Sequence, residues 1–159
     1  MILAIDPGIE KVGYAFFEKK NKDFSFITSG LIKTKKTTPH ETRLLEIYNS
    51  LATLMKKHKP ASIVIEQLFF FKNQKTVITV AQAQGVIVLL AAQNKIPLTY
   101  LTPLVIKQTI TGYGNADKKS VLKMIKIILK DDIEILDDDQ SDAIACGLAY
   151  CYLNRNLLG

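Results

Sequence analysis

The period of the apolar positions changes several times along this 159-residue chain, and each change marks an element. "ILAID" at 2–6 is an apolar run closed by an acid and the turn pair "PG". "VGYAFFEKK" and "FSFITSGLIKT" follow as β-branched and aromatic runs parted by the polar turn "NKD". Three strands in succession predict an antiparallel meander. From 41 to 58, Leu44, Leu45, Ile47, Tyr48, Leu51, Leu54 and Met55 recur at helical spacing, and the basic end of the segment suits the helix dipole. After Pro60, "ASIVIE" at 61–66 is apolar on both faces, as in a parallel strand covered by helices on either side. A loop "QLFFFKNQ" then leads to a long helix from about 75 to 95, a strand "PLTYL" from 97, a short helix near 103–110 and the glycine loop "TGYGNADKK". Two further helices, about 118–130 and 139–154, complete an α/β pattern with a mixed sheet and helices on its faces.

Length and composition fit one domain, 1–159, with 48% hydrophobic and 23% charged residues and no low-complexity tract. The start "MILAIDPG" has neither the basic opening nor the long apolar core of a secretory signal, and no apolar run reaches the roughly 18 residues of a membrane span. A cytoplasmic protein with no membrane partner is expected. Cys146 and Cys151 fall five apart on one predicted helix, on different faces and far from any four-ligand zinc spacing, so both read as reduced packing residues. His40 and His58 stand near the two ends of one helix among polar neighbours, which suits surface positions and leaves a histidine-based nucleophilic triad without members.

Charge alters the picture once it is divided. The formal net charge is +6, yet residues 131–159 hold seven of the 15 acidic residues and one of the 21 basic ones. The remaining body is strongly basic, which points to a polyanionic partner such as nucleic acid. The acid is concentrated in "LDDDQSDAIACGLAY" at 136–150, directly against a run of small apolar residues.

Two further acids stand where that concentration finds a use. A right-handed β-α-β crossover returns the strand at 61–66 parallel to the first strand, so Asp6 and Glu66, which close the two strands, meet at the C-terminal edge where such sheets hold ligands. Asp139 and Asp142 lie at i and i+3 at the start of the last helix and share a face. Helix capping accounts for at least one acid of the 137–139 run, but Asp142 lies too deep to cap. Asp138 and Asp142, at i and i+4, also share a face, so Asp138 is the alternative to Asp139. Four converging carboxylates suit hard divalent cations, Mg²⁺ or Mn²⁺, and two such ions activate a water and stabilise the leaving oxygen of a phosphodiester.

"IDPGIEKVGYAF", "VIEQLFFFKNQKT", "IKQTITGYGNADKKSV" and "DQSDAIACGLA" resemble, in order and across nearly the whole chain, the RuvC family of Holliday-junction resolvases. The resemblance implies an RNase H-like fold with a five-stranded mixed sheet, a homodimer, Mg²⁺-dependent paired nicking of four-way DNA junctions with two ions per site, and work beside the RuvAB branch-migration complex. Its catalytic and metal-binding carboxylates match Asp6, Glu66, Asp139 and Asp142, and none is replaced. Its junction aromatic matches Phe69, with Phe70 and Phe71 adjacent, and its DNA-contacting lysines match Lys107 and Lys118, with Lys119 adjacent. Two rival readings have less support. The "IDPG" turn also resembles the phosphate loop of actin-like and sugar-kinase ATPases, which need two such domains. A noncatalytic RNase H-like nucleic-acid-binding module would have no use for four acids.

The segment 76–94, "TVITVAQAQGVIVLLAAQN", is apolar round more than one face, whereas a helix between sheet and water needs one stripe. The surplus predicts a subunit contact, with Gly85 and the nearby alanines allowing close approach, and two-fold pairing would supply the two equivalent sites that two cuts require.

Overall fold

The computed structural model describes residues 1–20, 23–67, 74–130, 133–135 and 137–155, the side chains of 74–76 apart. Strand alternation sorts the first residues into two faces. Ile2–Asp6 (β1), Lys11–Lys20 (β2) and Asp23–Lys33 (β3) form the expected meander, with β1 pairing β2 and β2 pairing β3 antiparallel. The helix His40–His58 (α1) then crosses to Ser62–Glu66 (β4), which lies parallel to β1 with Ile5 opposite Ile65. Gln74–Gln93 (α2) leads to Leu98–Leu101 (β5), parallel to β4, and the sheet order is β3-β2-β1-β4-β5. This is the five-stranded mixed sheet that the sequence predicts. Pro103–Thr111 (α3), Lys118–Ile128 (α4) and Asp138–Leu153 (α5) complete the chain.

Each face of the sheet carries its own core. Leu3, Ile5, Val12, Phe16, Ile63 and Ile65 pack beneath Ile47, Leu51 and Met55 of α1 and Ala83, Ile87, Leu90 and Ala91 of α2. The alternate residues Ile2, Ala4, Ala15, Phe17 and Val64 face α5, which is covered on its far side by α3 and α4. A helix enclosed on both sides needs no polar stripe, and α5 is buried almost continuously from Ala143 to Ala149. The same enclosure accounts for the cysteines, which are free, buried packing residues as expected: Cys146 and Cys151 lie at different angles round the helix and both enter the same cluster.

Small residues bring α5 down onto the sheet. A Cβ on Gly13 would fall on the carbonyl oxygen of Asp139, and one on Gly147 would enter the ring of Phe17. Glycine at these two places sets the helix height above β1 and β2, and therefore the height of the acids at its start. The histidines are structural: His58 stacks on Phe16 at 4.3 Å and His40 hydrogen-bonds Gln82 at 2.7 Å. Among the described residues no helix is long and apolar enough to cross a membrane.

Candidate active site

Period-two alternation decides which way the strand-end acids point. Ile2 and Ala4 face α5, and so does the next alternate position, Asp6; Val64 faces α5, and so does Glu66. The pairing of Ile5 with Ile65 places the two acids on adjacent strand ends, and Asp6 sits opposite Gly13. Because Gly13 admits the backbone of Asp139, the first turn of α5 is held directly over Asp6. Asp139 and Asp142 then complete the group with Asp6 and Glu66.

The cleft between β4, α3, α4 and α5 has a volume of about 160 Å³, and its lining includes Glu66, Lys107, Lys118 and Asp142. Thr102 caps α3, accepting from the Val105 N–H at 3.2 Å, and aims the helix that carries Lys107. Asp117 caps α4 through the Ser120 N–H at 2.7 Å and presents Lys118 on the first turn. Lys118 donates to Asp138 Oδ2 and Asp142 Oδ2, each at 3.3 Å. Lys119 points to solvent beside Asp117.

The electrostatics are those of an under-compensated acidic cluster. Burial holds the carboxyl of Asp6 well above the usual range, and the neighbouring charges of Glu66, Asp142 and Asp139 raise it further. Burial, with Asp142 beside it, pushes Glu66 up to about 7 despite Lys118 and Lys107. Burial also raises Asp142 and Asp139. The Asp138 side chain is 78% exposed and bound by Lys118, and its charge acts on Asp142, whereas the charge of Asp139 is felt at Asp6. Two lysines bracket the acids, yet all four carboxyls remain raised, first by burial, so ionising all four together is costly.

Among the described residues no three of these groups already stand round a single point. Like charges in a partly buried cleft hold one another apart until a cation lies between them. The donor set, four carboxylates without histidine or cysteine, fits a hard divalent ion and not a zinc centre. A bound divalent cation would supply the charge compensation the cluster lacks and the Lewis acidity that phosphodiester hydrolysis needs.

The structure brings Asp6, Glu66, Asp139 and Asp142 near one another, with Lys107 and Lys118 lining the cleft beside Glu66 and Asp142. Phe69, Phe70 and Phe71 lie outside the described residues. Sequence reasoning missed Lys11 and the particular work of Asp137. Asp137 caps α5, accepting from the Asp139 N–H at 3.2 Å, and Lys11 Nζ donates to its other oxygen at 2.6 Å. The only sequence signal for the pair is an acid at the helix start; its partner lies 126 positions earlier.

The family model for "Crossover junction endodeoxyribonuclease RuvC" matches residues 2–151. A curated relative of that description from Brachyspira hyodysenteriae is 44% identical over 153 residues, 96% of this chain and 94% of the relative. Another from Caldicellulosiruptor saccharolyticus is 40% identical over 158 residues, 99% of this chain and 95% of the relative. The structure of Thermus thermophilus RuvC in complex with Holliday junction substrate has a similar fold, with a TM-score of 0.88 at 24% identity, covering 97% of this chain and 94% of that one.

Proposed function

This chain belongs to the RuvC family of crossover junction endodeoxyribonucleases, and from that premise we propose that it resolves four-way DNA junctions by paired, metal-dependent phosphodiester hydrolysis. The observation that carries the reading is that Glu66, Asp139 and Asp142 gather round the buried Asp6, beside a cleft lined by Glu66 and Asp142, within an otherwise basic protein. The basic body attracts the phosphate backbone, and the acidic cleft is where it is cut.

Asp6, Glu66, Asp139 and Asp142 would hold Mg²⁺, two ions per site, with Mn²⁺ able to substitute because both prefer oxygen donors. Held by these four carboxylates, such ions would supply the charge that activates a water and stabilises the departing oxygen. The chain's own side chains do the rest. The rigid ends of β1 and β4 fix Asp6 and Glu66, and the turn at the head of α5 fixes Asp139 and Asp142. Lys118 partly neutralises the cleft and is free to turn from Asp138, a mostly exposed partner, toward a phosphate. Lys107 lies on the same wall as a second phosphate contact, Lys119 extends the basic rim outward, and Phe69 follows the end of β4 by three residues as an aromatic stacking on an opened base.

Two like-polarity strands must be cut to release two duplexes, and a homodimer provides two equivalent sites. The exposed face of α2 supports this pairing: Ile78, Val88 and Leu89 are 67%, 39% and 53% exposed, and Gly85 has open space where a side chain would stand.

Four-way junction, duplex and flap substrates, each incubated with Mg²⁺ or Ca²⁺, test the reading. Paired nicks in the junction with Mg²⁺ alone are expected from the wild type. Asp6→Asn, Glu66→Gln, Asp139→Asn and Asp142→Asn should each abolish nicking while junction binding persists. Near-normal nicking by Asp142→Asn would refute the site as drawn, and binding without any cutting by the wild type would leave a noncatalytic DNA-binding module.

A further inference from the structure

The four acids at the head of α5 divide their labour. Asp142 lines the cleft, Asp139 stands near Asp6, Asp138 reaches out to Lys118, and Asp137 turns back toward Lys11 on the sheet. Asp137 spends both carboxylate oxygens: Oδ1 accepts from the Asp139 N–H at 3.2 Å and Oδ2 from Lys11 Nζ at 2.6 Å. Lys11 opens β2 and shares the α5-facing side with Gly13, Ala15 and Phe17, so the strand that admits the backbone of Asp139 at Gly13 also grips the preceding cap at Lys11. The Asp137 side chain is 15% exposed, and its charge-assisted bond to Lys11 is therefore less screened than an ordinary surface pair. Lys11 Nζ stands 3.8 Å from Asp139 Oδ2, well beyond its distance to Asp137.

We propose that Lys11 is a positioning residue for the nuclease centre: by anchoring Asp137 it locks the peptide that carries Asp139 and so sets that carboxylate for cation binding. A lysine bonded directly to Asp139 would compete with an incoming cation. One held at 2.6 Å on the neighbouring cap fixes the backbone while its ammonium stays 3.8 Å from the ligand. Partners that orient ligands commonly change metal affinity by about 10- to 100-fold when removed.

This role rests on the reading of the cleft as a cation site, and the experiment separates the two. Mn²⁺ binding is measured by electron paramagnetic resonance on the DNA-free protein, beside the Mg²⁺ concentration for half-maximal junction cleavage and the rate at saturating Mg²⁺. Wild-type protein that binds no Mn²⁺ would remove the reading of the site itself. Given wild-type binding, Lys11→Met is expected to weaken Mn²⁺ binding about tenfold or more and to raise the Mg²⁺ requirement in parallel, with Lys11→Arg restoring both to within about threefold. Asp137→Asn, which keeps the cap acceptor but gives up the charged partner, should act in the same direction. The Lys11→Met, Asp137→Asn double variant should be no worse than the more affected single, because both remove one interaction. Unchanged Mn²⁺ binding in Lys11→Met would overturn the proposal, as would weakened junction binding with metal binding intact. Tighter Mn²⁺ binding would also overturn it, because Lys11 would then be a competing cation. Fully additive losses in the double variant would do the same.

Discussion

Replacing Glu66 by glutamine should make the metal-free protein more stable while ending its activity. The carboxyl of Glu66 is raised from an ordinary value of 4.5 to about 7, first by burial and then by Asp142. Below pH 4.5 the group is protonated whether the chain is folded or not, and the cost is absent. Between about 4.5 and 7 the folded protein keeps a proton that the unfolded chain has released, so stability falls as pH rises; above 7 the full cost is present. That interval corresponds to about 3 kcal/mol, from which roughly 1 kcal/mol is deducted because a buried amide must also find hydrogen-bond partners. Urea unfolding of wild type and Glu66→Gln in EDTA, from pH 4 to 8, reads the difference directly. The variant should gain about 2 kcal/mol at pH 8 and lose about 1 kcal/mol near pH 4, where only the amide penalty remains. The wild-type curve itself should fall more steeply than Glu66 alone requires, since Asp6, Asp139 and Asp142 are raised in the same sense. Saturating Mg²⁺ should narrow the gap by stabilising only the protein that binds it. Equal stability of the two proteins at pH 8, with a flat wild-type profile, would refute the picture of an under-compensated carboxylate cluster.

Three further outcomes follow from the same structure. Gly13→Ala places a methyl group on the Asp139 carbonyl, so it should cost about 2 kcal/mol or more in urea unfolding and remove junction cleavage by lifting the head of α5. Leu89→Glu, on the exposed face of α2, should leave the unfolding curve of the subunit nearly unchanged but give a monomer in light scattering across a dilution series; a dimer unaffected by it would exclude this helix from the subunit contact. Phe69→Ala should fold and bind junctions yet resolve them more slowly, with a loss equivalent to about 1 to 3 kcal/mol if a base stacks there; an unaltered resolution rate would remove that role.

Much of this site was legible in the chain because its first requirements are local. The two-residue period of "ILAID" and "SIVIE" determines that Asp6 and Glu66 emerge on the same side as Ala4 and Val64, and the helical period puts Asp139 and Asp142 on one face. A β-α-β crossover has one favoured hand, which makes β4 the parallel neighbour of β1. Whether Asp138 or Asp139 completes the cluster lay beyond that reasoning, since both are sterically possible partners of Asp142. The docking of α5, which a glycine on β2 allows, sets where each stands, with Asp138 out toward Lys118 and Asp139 over β2 near Asp6. The bond between Lys11 and Asp137 was equally hidden, because it joins residues 126 positions apart and depends on strand register and helix height together. Periodicity acts between near neighbours and can be read from the chain; a contact that exists only after two elements have packed is decided by the packing.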